Sequence, residues 1–190
     1  MTPASPAQPT SWRSRSTAAD AARPQVQIIG VGNELRGDDG AGLEAIRLIR
    51  RARIQTAPEP IALRVWAGEP VGLIELWRGS PAVVLVDTMR SGAPPGAIRR
   101  LDPARGPLPV RLRGSCTTHA AGLEEVIELA RVLDRLPPRL IVYAIEGRRF
   151  DAGADLSDPV RAALPALVRG VVAEVRRLAP PAVTPGSAGG

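Results

Sequence analysis

The chain has 190 residues, 44% of them hydrophobic, which suits one domain with a full core and leaves too little for two ordinary domains. All 25 basic residues are arginine and the formal net charge is +6, but the arginines are scattered with no basic stripe interleaved with aromatics, so a nucleic-acid partner is not expected. No run approaches the roughly 20 apolar residues of a membrane span, the N-terminal stretch lacks the apolar centre of a signal peptide, and the single cysteine excludes an internal disulfide; a cytoplasmic protein with no membrane partner is expected.

Residues 1–24 are rich in Pro, Ser, Ala and Arg without an apolar period, and residues 180–190 are mostly Pro, Ala and Gly. Neither segment buries enough surface to offset its ordering entropy, so two disordered tails are expected around a folded body over residues 25–179. Val26 to Val31 is a short apolar run ending in glycines, the pattern of a buried parallel strand. A helix is predicted from near Asp39, because Leu43, Ile46 and Ile49 share one face while Glu44, Arg47, Arg50 and Arg51 take the other. After the break at Pro58 and Pro60 come a strand over Ile61 to Trp66, a short helix over Gly72 to Trp77, and the clearest strand of all, Ala82 to Asp87.

Pro94-Pro95-Gly96 marks a turn into a shorter strand, Ala97 to Leu101, expected at an edge. The stretch from Asp102 to Thr118 has no period and is predicted as a loop. Beyond His119, Leu123, Val126, Ile127, Ala130 and Leu133 recur as on an amphipathic helix, which Pro137-Pro138 ends. Leu140 to Ile145 is a further strand. Ser157 before Asp158-Pro159 is an N-cap signal for a last helix, which Pro165 is expected to kink or restart. Strands alternating with helices predict an α/β domain of three layers, a twisted and mostly parallel sheet of about five strands flanked by helices on both faces.

On that frame Asp39 lies at a helix start after the first strand, Asp87 at the carboxyl end of the strand from Ala82, and His119 ahead of a later helix. These are the places where open α/β sheets put their ligands. Two carboxylates and one imidazole form a borderline donor set that suits nickel, zinc, iron or manganese, and three protein ligands leave positions open for chemistry. The plainer readings are a core or surface histidine for His119, a helix cap for Asp38 and a loop cap for Asp87. Gly30-Val31-Gly32 invites a dinucleotide-binding interpretation, but Leu35 stands where the third glycine belongs and no acidic residue closes the second strand, so no nucleotide cofactor is expected. Cys116, His119 and Asp87 can also be drawn as a thiol nucleophile with its base and orienting acid, although a lone cysteine is more often an inert apolar residue.

The order of Gly30-Val31-Gly32-Asn33, Gly37-Asp38-Asp39-Gly40, Val86-Asp87, Pro95-Gly96, His119 with Gly122-Leu123, and Ile145-Glu146-Gly147 resembles the maturation endopeptidases of nickel-iron hydrogenases over nearly the whole folded body. The resemblance implies a single α/β domain, and it implies Asp39, Asp87 and His119 as the catalytic, metal-binding trio. It further implies a substrate and its cargo: the precursor of a hydrogenase large subunit, already loaded with nickel, whose C-terminal extension is cut off. The enzyme itself is expected to be a monomer. Many members of that family carry an Asp-Gly-Gly-Thr-like stretch after the second strand, linked to substrate selection, where this chain has Ala67-Gly68-Glu69-Pro70. A chaperone that docks on the precursor through the same trio without cutting is the alternative from another class. The resemblance assigns no role to Glu146.

Overall fold

The computed structural model describes residues 25–52, 61–106, 108 and 122–179. The two expected tails, Cys116, His119 and most of the loop predicted before them lie outside the described residues. In chain order the elements are β1 (Val26–Val31), α1 (Ala41–Arg51), β2 (Ile61–Trp66), α2 (Pro70–Leu76), β3 (Ala82–Met89), β4 (Ile98–Leu101), α3 (Leu123–Val132), β5 (Arg139–Glu146) and α4 (Asp158–Leu178). A short 3-10 turn over Gly37–Gly40 leads into α1.

The five strands form one sheet in the order β2-β1-β3-β5-β4. The first four run parallel, and β4 lies antiparallel against β5, with Ile98 opposite Ile145 and Leu101 opposite Val142. All six residues of β1 and all eight of β3 are buried, which is the property of strands covered on both faces. Successive side chains alternate between two cores. Ile28, Val84, Val86 and Ile145 join the cluster under α1 and α4, whereas Ile29, Leu85, Met89 and Val142 join Leu73, Trp77, Leu123 and Ile127 under α2 and α3. Each fully buried Val, Leu or Ile contributes about 1.5–3 kcal/mol relative to exposure, so closure of both faces holds the sheet.

The glycines of the first turn serve this packing. A Cβ on Gly30 would sit 2.3 Å from the Gly42 carbonyl oxygen, and one on Gly42 would sit 2.3 Å from the Val86 oxygen and 2.4 Å from the Val31 oxygen. Backbone therefore lies directly on backbone where α1 crosses β1 and β3, and that contact sets the residues ahead of α1 over the ends of both strands.

Pro165 does not interrupt and restart the last helix, one of the two outcomes its sequence position predicts. Residues Asp158–Leu178 form one helix with Pro165 inside it. Pro165 and Arg161 are exposed, so the carbonyl deprived of a partner is open to water, while Val160, Leu164, Leu167, Val168 and Val171 stay buried on both sides of the proline. No helix among the described residues is long and apolar enough to cross a membrane.

Candidate active site

From β1 the chain crosses to β2 on one side, then returns to place β3 on the other side of β1. Such a reversal, at the carboxyl ends of β1 and β3, is where open α/β sheets build their ligand crevice. The loop after β1 is laced tightly. Gly32 N–H donates to the Trp66 carbonyl at 3.1 Å, Asn33 N–H to the Asp39 carbonyl at 3.2 Å, and Leu35 N–H to Asn33 Oδ1 at 2.9 Å. Gly32 has φ of +138°, and a Cβ there would lie 1.8 Å from the Asp39 oxygen, so only glycine fits this return of the chain on itself.

Two of the three expected ligands come together at this strand reversal. Asp39 and Asp87 are both fully buried. Asp87 Oδ1 accepts the N–H of Thr88 at 2.7 Å, which grants the loop-cap interpretation to one of its oxygens; Oδ2 has no hydrogen-bond partner among the described residues. Burial pushes the Asp87 carboxyl well above the usual carboxylate range, the Thr88 N–H pulls it partly back, and the charge of Asp39 raises it further. A buried acid with one oxygen unsatisfied beside a second acid is a poor way to stabilise a fold and a good pair of oxygen donors for a cation. Asp87 shares its strand face with Val83, Leu85 and Met89, the face covered by α3, and His119 stands four residues before α3 begins. Among the described residues no three metal-ligating side chains gather.

Asp38, by contrast, does not cap a helix of its own, as its position predicts. Its carboxylate reaches across the crevice to the loop between β5 and α4, where Oδ2 accepts from the backbone N–H of Arg148 at 2.7 Å and of Arg149 at 2.9 Å and from Ser157 Oγ at 2.8 Å, and Oδ1 accepts from Ser157 N–H at 2.6 Å. Its carbonyl accepts from Thr88 Oγ1 at 2.7 Å. Burial alone would raise this carboxyl, but the N–H groups of Arg149, Arg148 and Ser157 together with the Ser157 hydroxyl outweigh it and hold Asp38 below its ordinary value. Ser157, the N-cap residue of α4, accordingly directs its hydroxyl to Asp38 and makes no side-chain cap.

The comparisons with known proteins decide the family. The hydrogenase maturation protease model, HycI, matches residues 69–174, more than half of the chain. This chain belongs to the hydrogenase maturation protease family. Members are peptide hydrolases, and the matched region contains Asp87 and His119. The hydrogenase expression/formation protein HoxM of Azotobacter vinelandii is 29% identical over 175 residues, covering 83% of this chain and 82% of its own length. The corresponding HupD protein of Thiocapsa roseopersicina is 25% identical over 130 residues, and the match spans 67% of this chain but 57% of that protein. The fold is that of the hydrogenase maturating endopeptidase HybD from E. coli, with a TM-score of 0.63 at 18% identity over 80% of this chain and 92% of that one.

Glu146 is the residue of this protease fold that sequence left without a role. It is 3% exposed, and its carboxylate accepts the N–H groups of Ser91 and Gly92, each at 2.9 Å to Oε1, and the Ser91 hydroxyl at 2.8 Å to Oε2. It thus ties the loop after β3 to the end of β5. A signal existed in the Glu146-Gly147 pair closing an apolar strand, but its partners lie 54 and 55 residues away.

Proposed function

We propose that this chain is the endopeptidase that removes the C-terminal extension of a nickel-loaded hydrogenase large-subunit precursor. The observation that carries the proposal is the Asp87 carboxyl, destabilised as an anion first by burial and then by the Asp39 charge, with one oxygen unpartnered among the described residues, at the strand reversal of a chain that belongs to the maturation protease family.

On this reading Asp39, Asp87 and His119 hold nickel that arrives as part of the substrate. When bound, the metal supplies positive charge that relieves the paired carboxylates and polarises oxygen atoms beside it. The residues of the chain do the rest. Burial favours a proton on Asp87 in the free protein, and that proton leaves as the site engages a cation, so recognition of a loaded precursor and ionisation of the site are coupled. The Asp38 clamp fixes the loops around the crevice, which lets a scissile peptide be held still beside a carboxylate able to take a proton from an attacking water. We place the enzyme in the cytoplasm as a monomer without a nucleotide.

The test is incubation of the purified protein with nickel-loaded and with metal-free precursor, read by mass spectrometry. Release of the extension peptide from the loaded precursor alone is expected. Stable binding with no peptide released would replace the protease by a docking chaperone.

A further inference from the structure

Immediately after β3, three residues past Asp87, stands Arg90, which is exposed. Several other arginines pair with acids, as Arg47 on α1 does with Glu44, Arg131 on α3 with Glu128 and Arg78 just past α2 with Glu75. No carboxylate among the described residues pairs with Arg90. Its guanidinium carbon lies instead 3.9 Å from the centre of the Phe150 ring. Phe150 is buried, packed where a Cβ on Gly147 would come within 2.3 Å of its ring and 2.7 Å of the Thr88 methyl.

The backbone is fixed on both sides of this cation. Met89 O accepts the N–H of Gly147 at 3.0 Å, and Ser91 and Gly92 donate to the buried Glu146 carboxylate. Phe150 holds the guanidinium over its ring, and a guanidinium is a fork of N–H donors that matches a carboxylate. Ordering of backbone and side chain, the usual entropic cost of using a long cation for recognition, is therefore met before any partner arrives.

We propose that Arg90 is a substrate-binding residue that takes an Asp or Glu side chain of the precursor in a bidentate pair, with Glu146 as its positioning residue. This deepens, and rests on, the protease reading above. At about 3.3 Å per extended residue, Arg90 lies on the order of 10 Å beyond Asp87. The acidic residue it binds therefore falls within about five positions of the bond that is cut.

The experiment measures both the Kd of the nickel-loaded precursor and its trimming kinetics, for wild type, Arg90→Ala, Arg90→Lys and Glu146→Gln. Arg90→Ala is expected to weaken binding and raise KM about tenfold with kcat within about twofold, and Arg90→Lys to restore little of it because a point charge does not reproduce the fork. Glu146→Gln should raise KM in the same direction with kcat kept, and should add nothing to Arg90→Ala. A merely structural Glu146 would instead lower kcat and add to the Arg90 effect. Replacing the Asp and Glu residues near the cleavage point by amides, one at a time, should reveal one whose loss is silent in Arg90→Ala. A Kd changed less than about twofold by Arg90→Ala, or no such acidic residue, overturns the proposal. A wild type that binds but does not trim overturns the protease reading, and Arg90 is then judged on Kd alone.

Discussion

Asp38→Asn should loosen the crevice without touching either buried acid of the pair. One Asp38 oxygen takes three donors and the other takes one, at 2.6–2.9 Å. Asn keeps a single acceptor. With that oxygen toward the Arg148, Arg149 and Ser157 Oγ donors, its NH2 group faces the Ser157 N–H, leaving a buried donor unpaired at about 1–3 kcal/mol. The three retained bonds also lose their charge-assisted strength, so the total is about 2–4 kcal/mol. Urea unfolding at neutral pH measures that total, and amide exchange at Arg148, Arg149 and Ser157 shows where it falls, with those amides exchanging faster than the core of β3. A loss under about 0.5 kcal/mol, or exchange at the three amides unchanged, would refute the assignment of Asp38 as the link between the two loops.

Gly42→Ala, normally stabilising by up to about 1 kcal/mol in an exposed helix, should here destabilise by about 3 kcal/mol because its Cβ meets backbone of two strands; a thermal melt gives the sign. Asp87→Asn, measured in chelator at neutral pH, should raise stability by about 1–2 kcal/mol, because burial and then the neighbouring Asp39 hold the folded carboxyl protonated while the unfolded one ionises, a proton-uptake cost that Asn lacks; a lower melting temperature would count against it. Glu174, 3% exposed, is held below its ordinary value first by the hydrogen bond from Arg100, a partner 43% exposed. A depressed carboxyl stabilises the fold above its unfolded value of about 4.5 and loses that contribution as pH falls through the lower folded value. Arg100→Met should therefore cost about 1 kcal/mol at pH 7, discounted for the exposed partner, and less at pH 4, as paired urea titrations would show.

Where local pattern and burial agree, the sequence is readable. β1 and β3 are unbroken apolar runs because both faces are covered, β4 is short because it closes an edge, and the helices follow their apolar period. Asp39 and Asp87 are legible because each stands where a strand has just delivered the chain to the same edge of the sheet. What local pattern does not hold is the partner at long range. Asp38 reads as a cap beside its own helix, yet its donors are 110 to 119 residues away. Pro165 reads as a break, yet burial on the inner face of α4 outweighs one lost hydrogen bond. The glycines of the first turn resemble a phosphate loop because close backbone approach has the same signature whether a ligand or a helix makes the approach.

The central claim is that Asp39, Asp87 and His119 act on one scissile bond. Mass spectrometry of the nickel-loaded large-subunit precursor, incubated separately with Asp39→Asn, Asp87→Asn and His119→Ala after circular dichroism has confirmed that each is folded, tests it most directly. The account predicts that the full-length mass persists in all three while wild type yields the shortened subunit; trimming at the wild-type rate by any one of them would contradict it.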